Sequence, residues 1–214
     1  MNCCKADDYL DKTGKEGFID KSGKYVINPQ FNAVLGFSDG LAAVKIGNRW
    51  GYIDKSGKYV ITPQFDGANS FSEGLAAVNI GGETLMFHFH VVGGKWGFID
   101  KAGRYIINPQ FNDVRFFSEG LADVNIGGRV KKGSILIEGG KWGFIDKTGK
   151  YVITLQFDSA HRFSEGLAAV KVEYRWGYIN KVGHFVINPL FNGANKFSEG
   201  LAAVSTIGLK IGES

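Results

Sequence analysis

Short apolar runs alternate with turn residues along the whole chain, and nowhere do apolar positions recur at the 3.6-residue spacing of a helix. Segments such as Trp50 to Ile53, Tyr59 to Phe65 and Leu75 to Ile80 are rich in Val, Ile and aromatics and are bounded by Gly, Ser, Asn and Pro. They predict short strands and an all-β chain. Counting the Leu75 to Ile80 type as the first strand of a unit, between the second (Trp50 to Ile53) and the third (Tyr59 to Phe65) stands a loop of the type Asp54-Lys55-Ser56-Gly57-Lys58, repeated at Asp20 to Lys24, Asp100 to Arg104, Asp146 to Lys150 and Asn180 to His184. An acid or amide first and Gly fourth suit a type I turn closed by a left-handed glycine bulge, which makes a hairpin.

If the turn alone sets the register, Ile53 faces Tyr59, Tyr52 faces Val60, Gly51 faces Ile61 and Trp50 faces Thr62. One sheet face then carries Trp50, Tyr52 and Val60, and the other Ile53, Tyr59, Ile61 and Phe65. A small sheet that is apolar on both faces is unstable alone, so neighbouring units have to stack on it. Gly51, with no side chain opposite Ile61, predicts the close approach of a bulky neighbour to the strand.

Repetition is explicit in the sequence. F-S-D-G-L-A-A-V begins at Phe37, and F-S-E-G-L-A-A-V or its close variant F-S-E-G-L-A-D-V at Phe71, Phe117, Phe163 and Phe197. W-G-Y-I-D or a variant begins at Trp50, Trp96, Trp142 and Trp176, with E-G-F-I-D at Glu16 in the first position. The basic unit has 34 residues, and the second and third units each carry 12 more, between Val78 and Trp96 and between Val124 and Trp142. Together with V-I-x-P-Q-F, these motifs resemble the bacterial tryptophan-glycine (WG) β-repeat family over residues 16–204. Departures are Glu16 for a tryptophan, Leu155 for a proline and Leu190 for a glutamine. The resemblance implies a non-enzymatic repeat module with no common ligand to transfer to positions in this chain.

The expected organisation is a tail over 1–15, one domain of five three-stranded antiparallel units over 16–204 and a tail over 205–214. The units fall at 16–49, 50–95, 96–141, 142–175 and 176–204, with the inserts near 81–94 and 127–140. The expected architecture is an open β-solenoid-like stack. The alternative is a closed five-bladed propeller-like ring, because Gly17 to Ile19 corresponds to a second strand and Leu201 to Val204 to a first, so the two could clasp.

Composition narrows the chemistry. A net charge of +4 is mild for 214 residues, so nucleic-acid binding is not expected. Cys3 and Cys4 are adjacent and make no disulfide framework; no signal peptide and no transmembrane segment are visible, which leaves localisation open. His88 and His90 would lie on one face of a strand but lack further ligands, so no metal or other cofactor is expected. The acids Asp39, Glu73, Glu119, Glu165 and Glu199 recur in every unit, whereas an active site needs unlike residues converging once; they read as turn residues and the chain as no enzyme. Lys21, Lys55, Lys101, Lys147 and Lys181 predict a basic edge that aids solubility.

Trp50, Trp96, Trp142 and Trp176, beside Gly51, Gly97, Gly143 and Gly177, are expected to be structural positions in the core between units. The candidate binding residues are those of the inserts, Phe87, His88, Phe89 and His90 with Lys131 and Lys132, which break the pattern and combine an apolar strand face with charge. The expected function is a scaffold for protein–protein interaction or assembly, with an unidentified protein as partner. The alternative is a carbohydrate- or cell-envelope-binding module that uses the repeated aromatic and basic positions.

Overall fold

A computed structural model describes residues 14–84, 91–130 and 137–206. Among them the regular structure is all strand. A first pair, β1 (Glu16–Ile19) and β2 (Tyr25–Phe31), is followed by a sheet of β3 (Ala33–Val34), β4 (Ala42–Ile46), β5 (Arg49–Ile53) and β6 (Tyr59–Phe65). The second sheet contains β7 (Gly67–Ala68), β8 (Ala76–Thr84), β9 (Val91–Ile99) and β10 (Tyr105–Phe111). The third contains β11 (Asp113–Val114), β12 (Ala122–Val130), β13 (Ile137–Ile145) and β14 (Tyr151–Phe157). The fourth contains β15 (Ser159–Ala160), β16 (Ala168–Val172), β17 (Arg175–Ile179) and β18 (Phe185–Phe191), and a last pair is formed by β19 (Gly193–Ala194) and β20 (Val204–Ser205).

Each four-stranded sheet is an antiparallel meander in chain order, and to the three expected strands it adds a two-residue strand at one edge. The structural unit is also out of phase with the sequence motif, since β4 of one motif pairs with β5 of the next through Ala42↔Ile53 and Val44↔Gly51. The terminal pairs β1–β2 and β19–β20 belong to separate two-stranded sheets, so no clasp joins them and the stack is open.

The sheets pack face to face because their faces differ in size. Trp50, Tyr52, Ile61 and Phe65 of the first sheet meet Ala76, Val78 and Ile99 of the second. Trp96, Phe98, Ile107 and Phe111 of the second meet Ala122, Val124 and Ile145 of the third, and the third meets the fourth in the same way. Large side chains on one face fill the space above small ones on the next, which gives dense packing without a helix layer. From the following sheet, Phe71 packs on Tyr52 edge-on at 4.9 Å, and the Tyr52 hydroxyl donates to the Asn69 carbonyl at 2.8 Å.

The hairpin turns form as their residues dictate. The Gly57 amide donates to the Asp54 carbonyl at 3.0 Å, and Asp54 Oδ1 accepts from the amides of Ser56 and Lys58. The Ser56 hydroxyl, followed by the amides of Lys58 and Ser56, holds the Asp54 carboxyl below its ordinary pKa against the opposing effect of burial. Gly57 has φ of 85°, and a Cβ there would press on Ile27 of the preceding pair at 3.3 Å, so this glycine serves both the turn and the stacking.

Beyond the turn the register departs from expectation. Ile53 does pair with Tyr59, but Tyr52 meets Ile61 and Trp50 meets Phe65, with bulges between. Gly51 explains the difference: a Cβ there would lie 2.5 Å from the Ile61 carbonyl oxygen and 2.7 Å from Pro63 N. The neighbour that approaches Gly51 is the bulged backbone of its own hairpin. Gly97, Gly143 and Gly177 stand in the same contact with Ile107, Ile153 and Ile187. Because of the bulges, Ile61 and Phe65 join Trp50 and Tyr52 on one buried face, while Tyr59 and Val60 turn out to the rim. Leu155 leaves the bulge unchanged, so the proline usual at that place is not what makes it.

Candidate functional site

Three of the four repeated tryptophans, Trp50, Trp96 and Trp142, are buried, and Trp176 is half-buried under the His161 ring at 4.8 Å. Three of the rings are thus closed off in the core and the fourth is half-buried, so they do not form a row of open platforms. The two inserts lengthen the hairpins of their own sheets: β8 and β9 continue through Gly82↔Gly93 to Thr84↔Val91, and β12 and β13 through Gly128↔Gly139 to Val130↔Ile137. Phe87, His88, Phe89 and His90, and Lys131 and Lys132, lie outside the described residues. At the base of each long hairpin a fully buried Asn79 or Asn125 donates from its side chain to the carbonyl of Gly93 or Gly139, where the short hairpins have Lys45 and Lys171.

The repeated acids form a column on one side of the stack. Asp39, Glu73, Glu119, Glu165 and Glu199 all have φ between 52° and 54°. Left-handed backbone costs a non-glycine residue stability, and in the first four the side chain offsets it by reaching the next turn. The Gly74 amide donates to Asp39, Gly120 to Glu73, Gly166 to Glu119 and Gly200 to Glu165. Beside them the hydroxyls of Ser38, Ser72, Ser118 and Ser164 donate to the carbonyls of Phe71, Phe117, Phe163 and Phe197 at 2.6 to 2.8 Å. Lys147 and Lys181 pair with Glu73 and Glu119 of the preceding sheets, each at 3.1 Å. The expected basic edge is therefore partly neutralised by this column.

The outer edge of the stack is apolar. The last strand of each sheet presents an adjacent aromatic and aliphatic residue: Tyr25 and Val26, Tyr59 and Val60, Tyr105 and Ile106, Phe185 and Val186 are all exposed, and in β14 Val152 is exposed beside a half-buried Tyr151. Tyr105 and Phe185 lean edge-on against Phe65 and Phe157 of the preceding sheets, so the rings are held in place while one side stays open. Pro29, Pro63, Pro109 and Pro189 lie in these same edge strands and remove amides that could pair with another chain.

A second feature draws on residues that depart from the repeat. A groove of about 530 Å³ runs beside the third and fourth sheets and the last pair, lined by Arg115, His161, Arg162, Asn195, Lys196, Ser198, Leu201 and Ala203. Arg115 donates to the Ala160 carbonyl at 2.7 Å, lies over the Trp142 ring at 5.2 Å and sits 3.5 Å from Asp123, which is fully buried. Asp123 stands where other repeats have Ala43, Ala77 and Ala169, and burial raises its pKa to about 6 against the pull of Arg115. The Arg162 guanidinium stacks over Phe116 at 4.8 Å. Burial, then Arg115 and Arg162, lower the pKa of His161, as expected of an imidazole in an electropositive setting.

Sequence reasoning weighed neither the rim nor the groove. The groove had a mark in the sequence: aligned on the F-S-E-G motif, Leu35, Asn69, Arg115, His161 and Asn195 share one column, Gly36, Ser70, Phe116, Arg162 and Lys196 the next, and Asp123 interrupts L-A-A-V. Among the described residues no group of three or more His, Cys, Asp or Glu side chains could hold a metal ion, and no helix is long and apolar enough to cross a membrane.

A family model described as WG containing repeat matches residues 17–50, 50–83, 96–129, 142–176 and 176–206. The matched windows leave out 84–95 and 130–141, which are the two inserts. Comparison with curated proteins returns no match.

Proposed function

The chain belongs to the WG-repeat family, and from that premise we propose that it is a non-enzymatic scaffold that binds a protein partner along its outer rim. The observation that carries this reading is the exposed line of Tyr25, Val26, Tyr59, Val60, Tyr105, Ile106, Val152, Phe185 and Val186, one or two residues from each successive sheet. Large apolar residues held in place on a surface and flanked by polar turns have the make-up of a protein interface. Stacked sheets repeat at roughly 10 Å, so the rim offers a regular series of weak contacts whose sum depends on how many are engaged.

Carbohydrate binding is the second reading. The tryptophan rings do not support it, because three are buried and Trp176 is half-buried, and it rests instead on the half-open tyrosines of the rim. A photo-crosslinker at position 106, beside Tyr105, separates the two. The scaffold reading expects one protein to be captured, with capture lost when Tyr59 and Tyr105 are both changed to serine. Capture that ignores those tyrosines, or a glycan that binds through them without any protein, overturns it.

A further inference from the structure

The groove is independent of the rim and has a different chemistry. Its cations are built in, not scattered. Arg115 is fixed by three contacts, with the Ala160 carbonyl, the Trp142 ring and Asp123, and Arg162 is held over the Phe116 ring. Guanidinium groups held by stacking lose little freedom when an anion arrives, and they match the fork of a carboxylate. Lys196 joins them from the neighbouring turn, and His161 closes one side over Trp176. Among the described residues, the ion pairs within this cluster are confined to Arg115 with Asp123, and Asp123 is fully buried. Its charge therefore orients Arg115 from beneath and leaves the groove face positive.

Leu201 and Ala203 supply apolar lining to the same groove as these cations, and Leu201 is 78% exposed. We propose that this groove binds a polypeptide segment in which a carboxylate stands next to an apolar side chain. The apolar residue covers Leu201 and Ala203 while the carboxylate reaches Arg162, Lys196 and the open side of Arg115. A nucleic acid fits less well: the cations form one cluster and not a track that follows successive phosphates, and the Trp176 ring that could stack on a base is covered by His161. The carboxylate could come from an acidic side chain or from a free chain terminus, which share this chemistry.

Calorimetric titration of the full chain tests the proposal. The probe is a capped pentapeptide with one central glutamate between leucines; its controls are the same peptide with glutamine, the glutamine peptide with a free C-terminal carboxylate, inorganic phosphate and a single-stranded oligonucleotide. The expected result is binding of the glutamate peptide, or of the free-terminus peptide if that is the source. Replacing that carboxylate by an amide should lower affinity by about tenfold or more, as loss of a charge-assisted hydrogen bond predicts. Arg162→Ala and Lys196→Gln should each weaken binding by a similar factor with an unchanged melting midpoint, and Arg162→Lys should recover part of it. Equal binding of the uncharged glutamine peptide, tighter binding of the oligonucleotide or of phosphate, no binding of either carboxylate peptide, or indifference to both Arg162→Ala and Lys196→Gln would each overturn it.

Discussion

The turn column and the groove lie on the same scaffold, yet one is made of copies and the other of exceptions. In the column, Ser38, Ser72, Ser118 and Ser164 make one bond four times, and the acids beside them reach the next glycine amide in the same way. In the groove, Arg115, His161, Arg162 and Lys196 replace one another's neighbours without repeating, and Asp123 appears where the array otherwise has alanine. What is repeated ties each sheet to the next, and its loss costs stability. What occurs once adds nothing that the stack requires and in one case weakens it. A buried carboxylate whose nearest cation is 3.5 Å away costs desolvation that the pair does not fully return.

The largest effect expected belongs to the repeated core. Trp96→Ala removes a buried ring between the second and third sheets and should lower stability by about 3 to 5 kcal/mol, read from urea denaturation. An unchanged midpoint would mean that the sheets are not coupled through their tryptophans.

Asp123→Ala provides the opposite sign and sharpens the contrast. The folded pKa of about 6 lies above the ordinary value of 3.8, so the folded state favours the protonated form. The penalty is full above about pH 6 and fades as pH falls toward the unfolded value. Relative to the parent, the variant should therefore gain about 2 to 3 kcal/mol between pH 4 and pH 8. Denaturation midpoints that move in parallel at both pH values would show that Asp123 is not strained by burial.

Smaller effects lie in the column. Ser118→Ala breaks one part-buried bond to the Phe163 carbonyl and should cost about 1 kcal/mol, with equal loss at pH 4 and pH 8. A pH-dependent loss would tie this serine to the titrating groove instead. Lys181→Ala removes a half-exposed partner of Glu119 and should change stability by less than about 0.5 kcal/mol, a difference that added salt erases. A larger, salt-resistant loss would make the ion pair a true element of the stack.

The strands, the turns and the repeat were fixed by the chain itself, because each rests on short-range chemistry. Alternating apolar runs make strands, Asp54 to Lys58 makes its own turn, and a sheet apolar on both faces demands neighbours. Resemblance to the WG repeats rested on motifs of the same kind, which were legible without coordinates. Register was not legible beyond Ile53↔Tyr59, since the bulge depends on how the backbone of Ile61 to Pro63 settles against Gly51. For the same reason Tyr59 and Val60 could not be placed on the rim before the fold was known.

The groove needed the tertiary structure most. Arg115, His161 and Lys196 are separated by dozens of residues, and only the stacking of one sheet on the next sets them side by side. Their departures from the repeat were visible in the sequence, but a departure has no direction until the stack decides whether it faces the core, as Asp123 does, or a groove, as Arg162 does. Local sequence selects the element, and the packing of unlike faces between sheets decides which side chains meet.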